Sequence, residues 1–213
     1  MVPTPRPPWL RPVPAPAGGS GEARAAEEAG DAADRDAVER VLDGDSRAFD
    51  PVVRRHGARL VALCSRVTGT RDVGEELAQE TLARAYASLG SYRGDCQVRH
   101  WLMRIALNGC RDWLKAGARA ERPAEIAEEA LSTALAPDEE LAGRQALSAL
   151  EKALRSLPDV YREAFVLFHV ENLSYLEMSR VTGARVGALK VRVHRAREML
   201  RDQLGERLEL VWG

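Results

Sequence analysis

The chain has 213 residues, with 31 basic and 32 acidic side chains and a formal net charge of −1, enough for one or two small domains. Three cysteines (Cys64, Cys96 and Cys110), odd in number and without a C-x-x-C pair, fit reduced thiols rather than a disulfide framework. No apolar run approaches bilayer length, and the first residues lack the apolar core of a signal peptide. A cytoplasmic protein with no membrane contact of its own is expected.

Residues 1–35 are rich in Pro, Ala and Gly and nearly lack β-branched side chains. Such a segment buries too little apolar surface to offset its ordering entropy, and reads as a disordered tail. From residue 36 the pattern is helical. Ala37, Val38, Val41 and Leu42 open a first helix that Gly44 and Asp45 break. Asp45 or Ser46 can cap a second, which carries Phe49, Val52, Val53, Leu60, Val61, Leu63 and Val67 inward. Asp72 can cap a third, with Val73, Leu77, Leu82 and Tyr86 inward and Glu75 and Glu76 at its positive end. A loop over residues 91–97 leads to a fourth helix that buries Val98, Leu102, Ile105, Ala106 and Trp113. Four helices over residues 36–117 make a core of the size that folds alone.

Residues 118–143 hold two basic and seven acidic side chains and two prolines, the composition of a flexible acidic linker. A second domain covers residues 144–213, with twelve basic and nine acidic side chains. Leu147, Leu150, Leu154 and Leu157 mark its first helix. Pro158 starts the next, over residues 159–170, with Phe165, Val166, Leu167 and Phe168 in its core.

Residues 173–203 then have the layout of a helix-turn-helix. Ser174 and Glu177 stand at capping-box spacing. A short helix carries Leu176 and Val181 inward, and Gly183 suits the positive φ of the turn. The second helix sets Val186, Leu189, Val193, Ala196, Leu200 and Leu204 on one narrow stripe. Gly187, Lys190, Val191, His194, Arg195 and Glu198 are left on the other side. From residue 184 to 204 six basic residues stand against two acidic ones. A merely solvated helix mixes its signs more evenly, so this one is read as entering a DNA major groove.

Three collinear stretches together resemble an extracytoplasmic-function (ECF) sigma factor of the sigma-70 family, over about residues 36–204. DVGEELAQETLARAY (72–86) is similar to the polymerase-binding helix of sigma region 2, with Leu82 where the family usually has an aromatic. YRGDCQVRHWLMRIALN (92–108) is similar to the segment that recognises and opens the −10 promoter element. LPDVYREAFVLFHVENLSYLEMSRVTGARVGALKVRVHRARE (157–198) is similar to region 4, which binds the −35 element. In the recognition helix Ala188 and Val191 replace a Thr and a Ser common in the family, so the promoter sequence is not transferable from relatives.

The resemblance implies an all-α chain of two small helical domains that directs promoter recognition, −10 melting and transcription initiation. Its implied partners are promoter DNA, core RNA polymerase (the β′ coiled coil and the β flap) and an anti-sigma factor. It implies no cofactor. Glu76, Gln79, Glu80 and Arg84, three to four apart on one helix face, fit polymerase docking. Opening DNA requires a flipped base to be held by stacking and hydrogen bonds. Tyr92 can stack, Arg93, Gly94 and Asp95 can wrap a base, and Asn108 offers both donor and acceptor. Arg99, Arg104 and Arg111 can hold single-strand phosphates, while Trp101 suits core packing better than base contact. For the −35 element, Lys190 can reach guanine O6 or N7, Val191 a thymine methyl, and His194 the next turn of the groove. Gly187 lies on the same face, and Arg185, Arg192, Arg195 and Arg197 suit phosphate contacts.

A stand-alone helix-turn-helix regulator would explain residues 173–203 but leave residues 92–108 unused. No Gly-rich phosphate loop or Ser/His/Asp frame suggests an enzyme. Cys96 and His100, four apart, make only two potential zinc ligands.

Overall fold

The computed structural model describes residues 21–119 and 149–204, all helix, turn and loop. In the first domain α1 spans Gly21–Leu42, α2 Asp50–Thr68, α3 Arg71–Ala87 and α4 Val98–Arg119. In the second, α5 covers 149–156, α6 is Asp159–Phe165, α7 is Tyr175–Thr182 and α8 is Val186–Leu204. The two helical domains expected from the periodicity are present. The acidic segment between them falls almost entirely outside the described residues, as do residues 1–20.

The expected domain boundary at residue 35 is too late, because α1 begins at Gly21. Its second half is tied to the first domain by charge. Asp31 Oδ1 accepts the backbone N–H of Val98 at 3.0 Å, satisfying an orphan donor at the start of α4. Asp34, buried, accepts hydrogen bonds from Arg55 and pairs with His56 Nε2 at 2.7 Å. A segment poor in apolar residues is ordered here by two carboxylates, a route that composition does not reveal.

Gly69, with φ +86°, closes α2 and turns the chain into α3. The two helices approach closely at Gly74, where a Cβ would stand 2.0 Å from Ser65 Oγ and 2.6 Å from its backbone nitrogen. The buried face of α3 is therefore Gly74, Leu77, Ala78, Thr81 and Ala85. Val73 and Leu82 are only partly covered, and Tyr86, expected inside, is 44% exposed with its edge against Phe49. Val53 is likewise exposed.

In the second domain α6 widens into a π-helical turn over Val166–Val170, where the N–H of Glu171 reaches back to Val166 O at 2.9 Å. Asn172 then takes a left-handed conformation (φ +54°), turning the chain into α7. Leu154, Leu157, Phe165, Ala196 and Leu200 form a small core that joins α5, α6 and α8.

Candidate nucleic-acid and polymerase interfaces

The helix-turn-helix forms as its spacing predicts. Glu177 N–H donates to Ser174 Oγ at 3.3 Å, and Ser174 N–H donates to Glu177 Oε2 at 2.8 Å. Burial raises the Glu177 carboxyl, but the hydrogen bonds from Ser174 outweigh it and hold the pKa below the ordinary value. Gly183, with φ +73°, caps α7. Leu189, Val193, Ala196 and Leu200 seat α8 on the domain. Leu176 does not point inward: it is 57% exposed, and Met178 and Val181 fill the core instead.

On the outer side of α8, Arg185, Gly187, Lys190, Val191 and Arg195 are exposed, Val191 at 58%. Ala188 is exposed beside them, so both positions that lack the family's hydroxyls lie on the free surface. Lys190 Nζ stands 5.8 Å from the centroid of the Tyr175 ring, which stacks on Phe168 with centroids 4.8 Å apart. His194 and Arg195 both reach Glu198, at 3.4 and 3.0 Å. Arg192 is half-buried. Arg197 is also half-buried, and its charge acts on both Tyr175 and His169. That makes it a less accessible phosphate ligand than Arg185 or Arg195.

The segment over residues 92–111 divides into a loop and a helix face. Gly94 has φ +75°, and Arg93, Gly94 and Asp95 form an exposed tip. Tyr92 is half-buried: its hydroxyl donates to Cys96 O at 2.6 Å, and its ring lies 5.4 Å from that of Trp101. Trp101 is 4% exposed, a core residue that supports Tyr92 from beneath. Arg104 and Asn108 project from α4 to the surface. Arg99 Nε donates to His100 Nε2 at 3.1 Å. His100 is buried, and desolvation, followed by the Arg99 charge, brings its pKa down to about 4. Arg111 is not free for a phosphate: its guanidinium is held by both oxygens of Glu163, at 2.8 and 2.7 Å, across the domain boundary. Sequence reasoning missed Glu163, 52 residues away, because no local pattern links the two.

On α3, Glu76, Gln79, Glu80 and Arg84 are all exposed, opposite the buried Gly74–Ala78–Thr81–Ala85 stripe. Glu80 and Arg84 pair at 2.6 Å in the favourable i,i+4 order. Among the described residues no cluster of His, Cys, Asp and Glu could hold a metal ion, and no helix is long and apolar enough to cross a membrane.

Comparison with known proteins accounts for both domains. The family model described as sigma-70 region 2 matches residues 52–120, and that described as sigma-70, region 4 matches residues 147–200. The chain is 31% identical over 176 residues to the RNA polymerase sigma-H factor of Pseudomonas aeruginosa, covering 78% of this chain and 91% of that protein. It is 30% identical over 180 residues to the ECF RNA polymerase sigma-E factor of Haemophilus influenzae, covering 80% of this chain and 95% of that one. The fold also resembles the sigma factor RpoE solved in complex with the anti-sigma factor NepR from Bartonella quintana. The TM-score is 0.60 at 26% identity, over 74% of this chain and 97% of that one. Regions 2 and 4 thus occur together in one chain because it belongs to the ECF class of the sigma-70 family of RNA polymerase sigma factors.

Proposed function

We propose that this sigma factor divides promoter recognition between three surfaces. Glu76, Gln79, Glu80 and Arg84 on α3 dock core polymerase, and the loop at Tyr92–Asp95 with Arg99, Arg104 and Asn108 opens and holds the −10 strand. Arg185, Gly187, Lys190, Val191, Arg192, His194, Arg195 and Arg197 on and before α8 read the −35 duplex. The observation that carries this reading is the pairing of two exposed polar faces, one on α4 and one on α8, in a chain matched by both sigma region models. Polymerase would contribute the β′ coiled coil to α3 and the β flap to the second domain. The chain works in the cytoplasm, where polymerase is, and performs no catalysis itself.

The base-reading roles rest on chemistry. Lys190 is a point donor suited to guanine O6 and N7, and Val191 is apolar and exposed where a thymine methyl would lie. Tyr92 is already oriented by its hydrogen bond and by Trp101, so a flipped base could stack without first ordering the ring. An anti-sigma partner is inferred from the related sigma factor solved with NepR.

The deciding experiment is in vitro transcription from a promoter library with core polymerase and this protein. Transcripts that share two elements at fixed spacing are the expected result. Specific duplex binding without polymerase, and no polymerase-dependent transcript, would favour a stand-alone regulator instead.

A further inference from the structure

Val191 sits at the centre of the exposed face of α8. At about 100° per residue it lies opposite the buried stripe of Leu189, Val193, Ala196 and Leu200. It is 58% exposed. Gly187, one turn before it, and Ala188 beside that are also exposed. The cations stand around this patch. Lys190 leans toward the Tyr175 ring on one flank, and Arg185 and Arg195 are exposed toward its two ends. His194 and Arg195, in the next turn, are engaged by Glu198. The first two turns of α8 thus carry no hydrogen-bonding side chain at the centre of their outer face.

Gly187 points the same way. A Cβ built there meets no atom within 4 Å, and its backbone is not left-handed. Nothing in the fold calls for glycine, which weakens a helix relative to alanine. A partner that comes close to the helix axis does call for it.

Charge complementarity makes that partner DNA: exposed cations flank an apolar centre, on a helix inside the region 4 match at residues 147–200. A base edge facing Val191 loses water and gains no hydrogen bond, so a polar edge there is penalised. The C5-methyl of thymine is the one apolar group in the major-groove code. Cytosine methylated at C5 presents the same group. The Thr and Ser common in the family at positions 188 and 191 can bond to a base or phosphate, while Ala188 and Val191 cannot. The preference is therefore a property of this chain.

We propose that this helix reads C5-methyl groups. Its −35 element holds thymine beneath Val191, with Ala188 on the flank of the same patch. At that position 5-methylcytosine is accepted in place of thymine, and unmodified cytosine is refused. A promoter with cytosine there is strengthened by cytosine methylation. The inference rests on the −35 role given to α8 above and adds what the helix prefers.

The test uses promoter duplexes bound by the holoenzyme formed from core polymerase and the full chain. In a −35 element selected by transcription, each thymine is replaced in turn by uracil, which lacks only the methyl. At the thymine beneath Val191, uracil should weaken binding about fourfold, the effect of one buried methyl. At the same position 5-methylcytosine should bind more tightly than cytosine by a similar factor. Val191→Ser should bring both ratios to about one, since the cycle isolates the contact between side chain and methyl. Equal binding of thymine and uracil duplexes at every −35 position overturns the proposal, as does a selected element without thymine. A methyl preference that survives in Val191→Ser/Ala188→Ser overturns it too. The wild-type comparison decides the matter whether or not the variants fold. If core polymerase yields no promoter-dependent transcript, the −35 reading falls. Duplexes selected by the protein alone, made with thymine and with uracil, then still decide the methyl preference.

Discussion

Lys190 Nζ lies 5.8 Å from the centre of the Tyr175 ring, so the first residue of α7 supports the α8 side chain that we propose reads a base. Tyr175 is itself stacked on Phe168, which ties the reading helix to the π-helical turn beneath it. Lys190→Ala should relax preference at one −35 position and cost roughly 1–3 kcal/mol there. Selection from a −35 library scores it. Equal loss at every promoter would mean that Lys190 contacts phosphate.

Ser174→Ala removes one arm of the capping box and should destabilise the second domain by about 1 kcal/mol. Gly183→Ala forces a Cβ into a left-handed conformation and should cost roughly 1–2 kcal/mol. Urea unfolding followed by circular dichroism measures both. The effect should be on stability alone, because neither residue lies on α8.

These two positions were legible in the sequence because caps and turns are local. Ser174 and Glu177 are three residues apart, and Gly183 interrupts a clean apolar period. Leu176 was misread, since in a helix of eight residues the period does not decide which face is covered. Asp31 and Asp34 were invisible because they lie in a segment whose average composition argues against order, while their effect comes from single contacts to Val98, Arg55 and His56. The α3 face was shifted because Gly74 makes a close approach to α2 at Ser65, and small residues (Ala78, Thr81 and Ala85) share the buried face where large apolar side chains were expected. The Arg111–Glu163 pair joins two domains and has no local signature.

Gly74→Ala should be among the most damaging small substitutions in the first domain. Its Cβ would meet the backbone of Ser65, which cannot move aside as a flexible side chain would. Overpacking of this kind costs roughly 1–3 kcal/mol, occasionally more. The variant should melt several degrees lower, while Glu76→Ala on the exposed side of the same helix should leave melting unchanged and weaken polymerase binding. If Gly74→Ala melts like wild type, the close packing of α2 on α3 is wrong.

Cys96 should be a slow thiol. Burial raises its pKa above the ordinary value, only partly countered by Arg104, so little thiolate is present at neutral pH. Cys64 and Cys110 are buried, and Cys110 is pushed up by its contact with Cys64 and by desolvation. Reaction with a disulfide reagent should titrate Cys96 alone in the folded protein, more slowly than a free cysteine. Rapid modification, or oxidant-sensitive transcription abolished by Cys96→Ser, would show instead that the loop senses oxidants.

Stability should fall with acidification through a window set by two histidines. His100 is buried near Arg99, Glu177, Arg59 and Asp31, and His169 lies between Phe165 and Phe168 within reach of the Arg197 charge. Desolvation brings each from an unfolded value of 6.5 to about 4. Between those values the unfolded chain binds protons that the folded chain does not, so stability is fully present above pH 6.5 and declines as pH drops toward 4. A shift of this size costs at most about 3 kcal/mol per site, less where a protonated His100 gains Glu177, whose carboxylate is 4.0 Å away. Urea midpoints measured from pH 7.5 to 4.5 should therefore slope downward. His100→Gln and His169→Gln should each flatten that slope even if they lower the midpoint at pH 7.5. A slope unchanged in both variants would assign the acid sensitivity to the carboxylates of the domain interface instead.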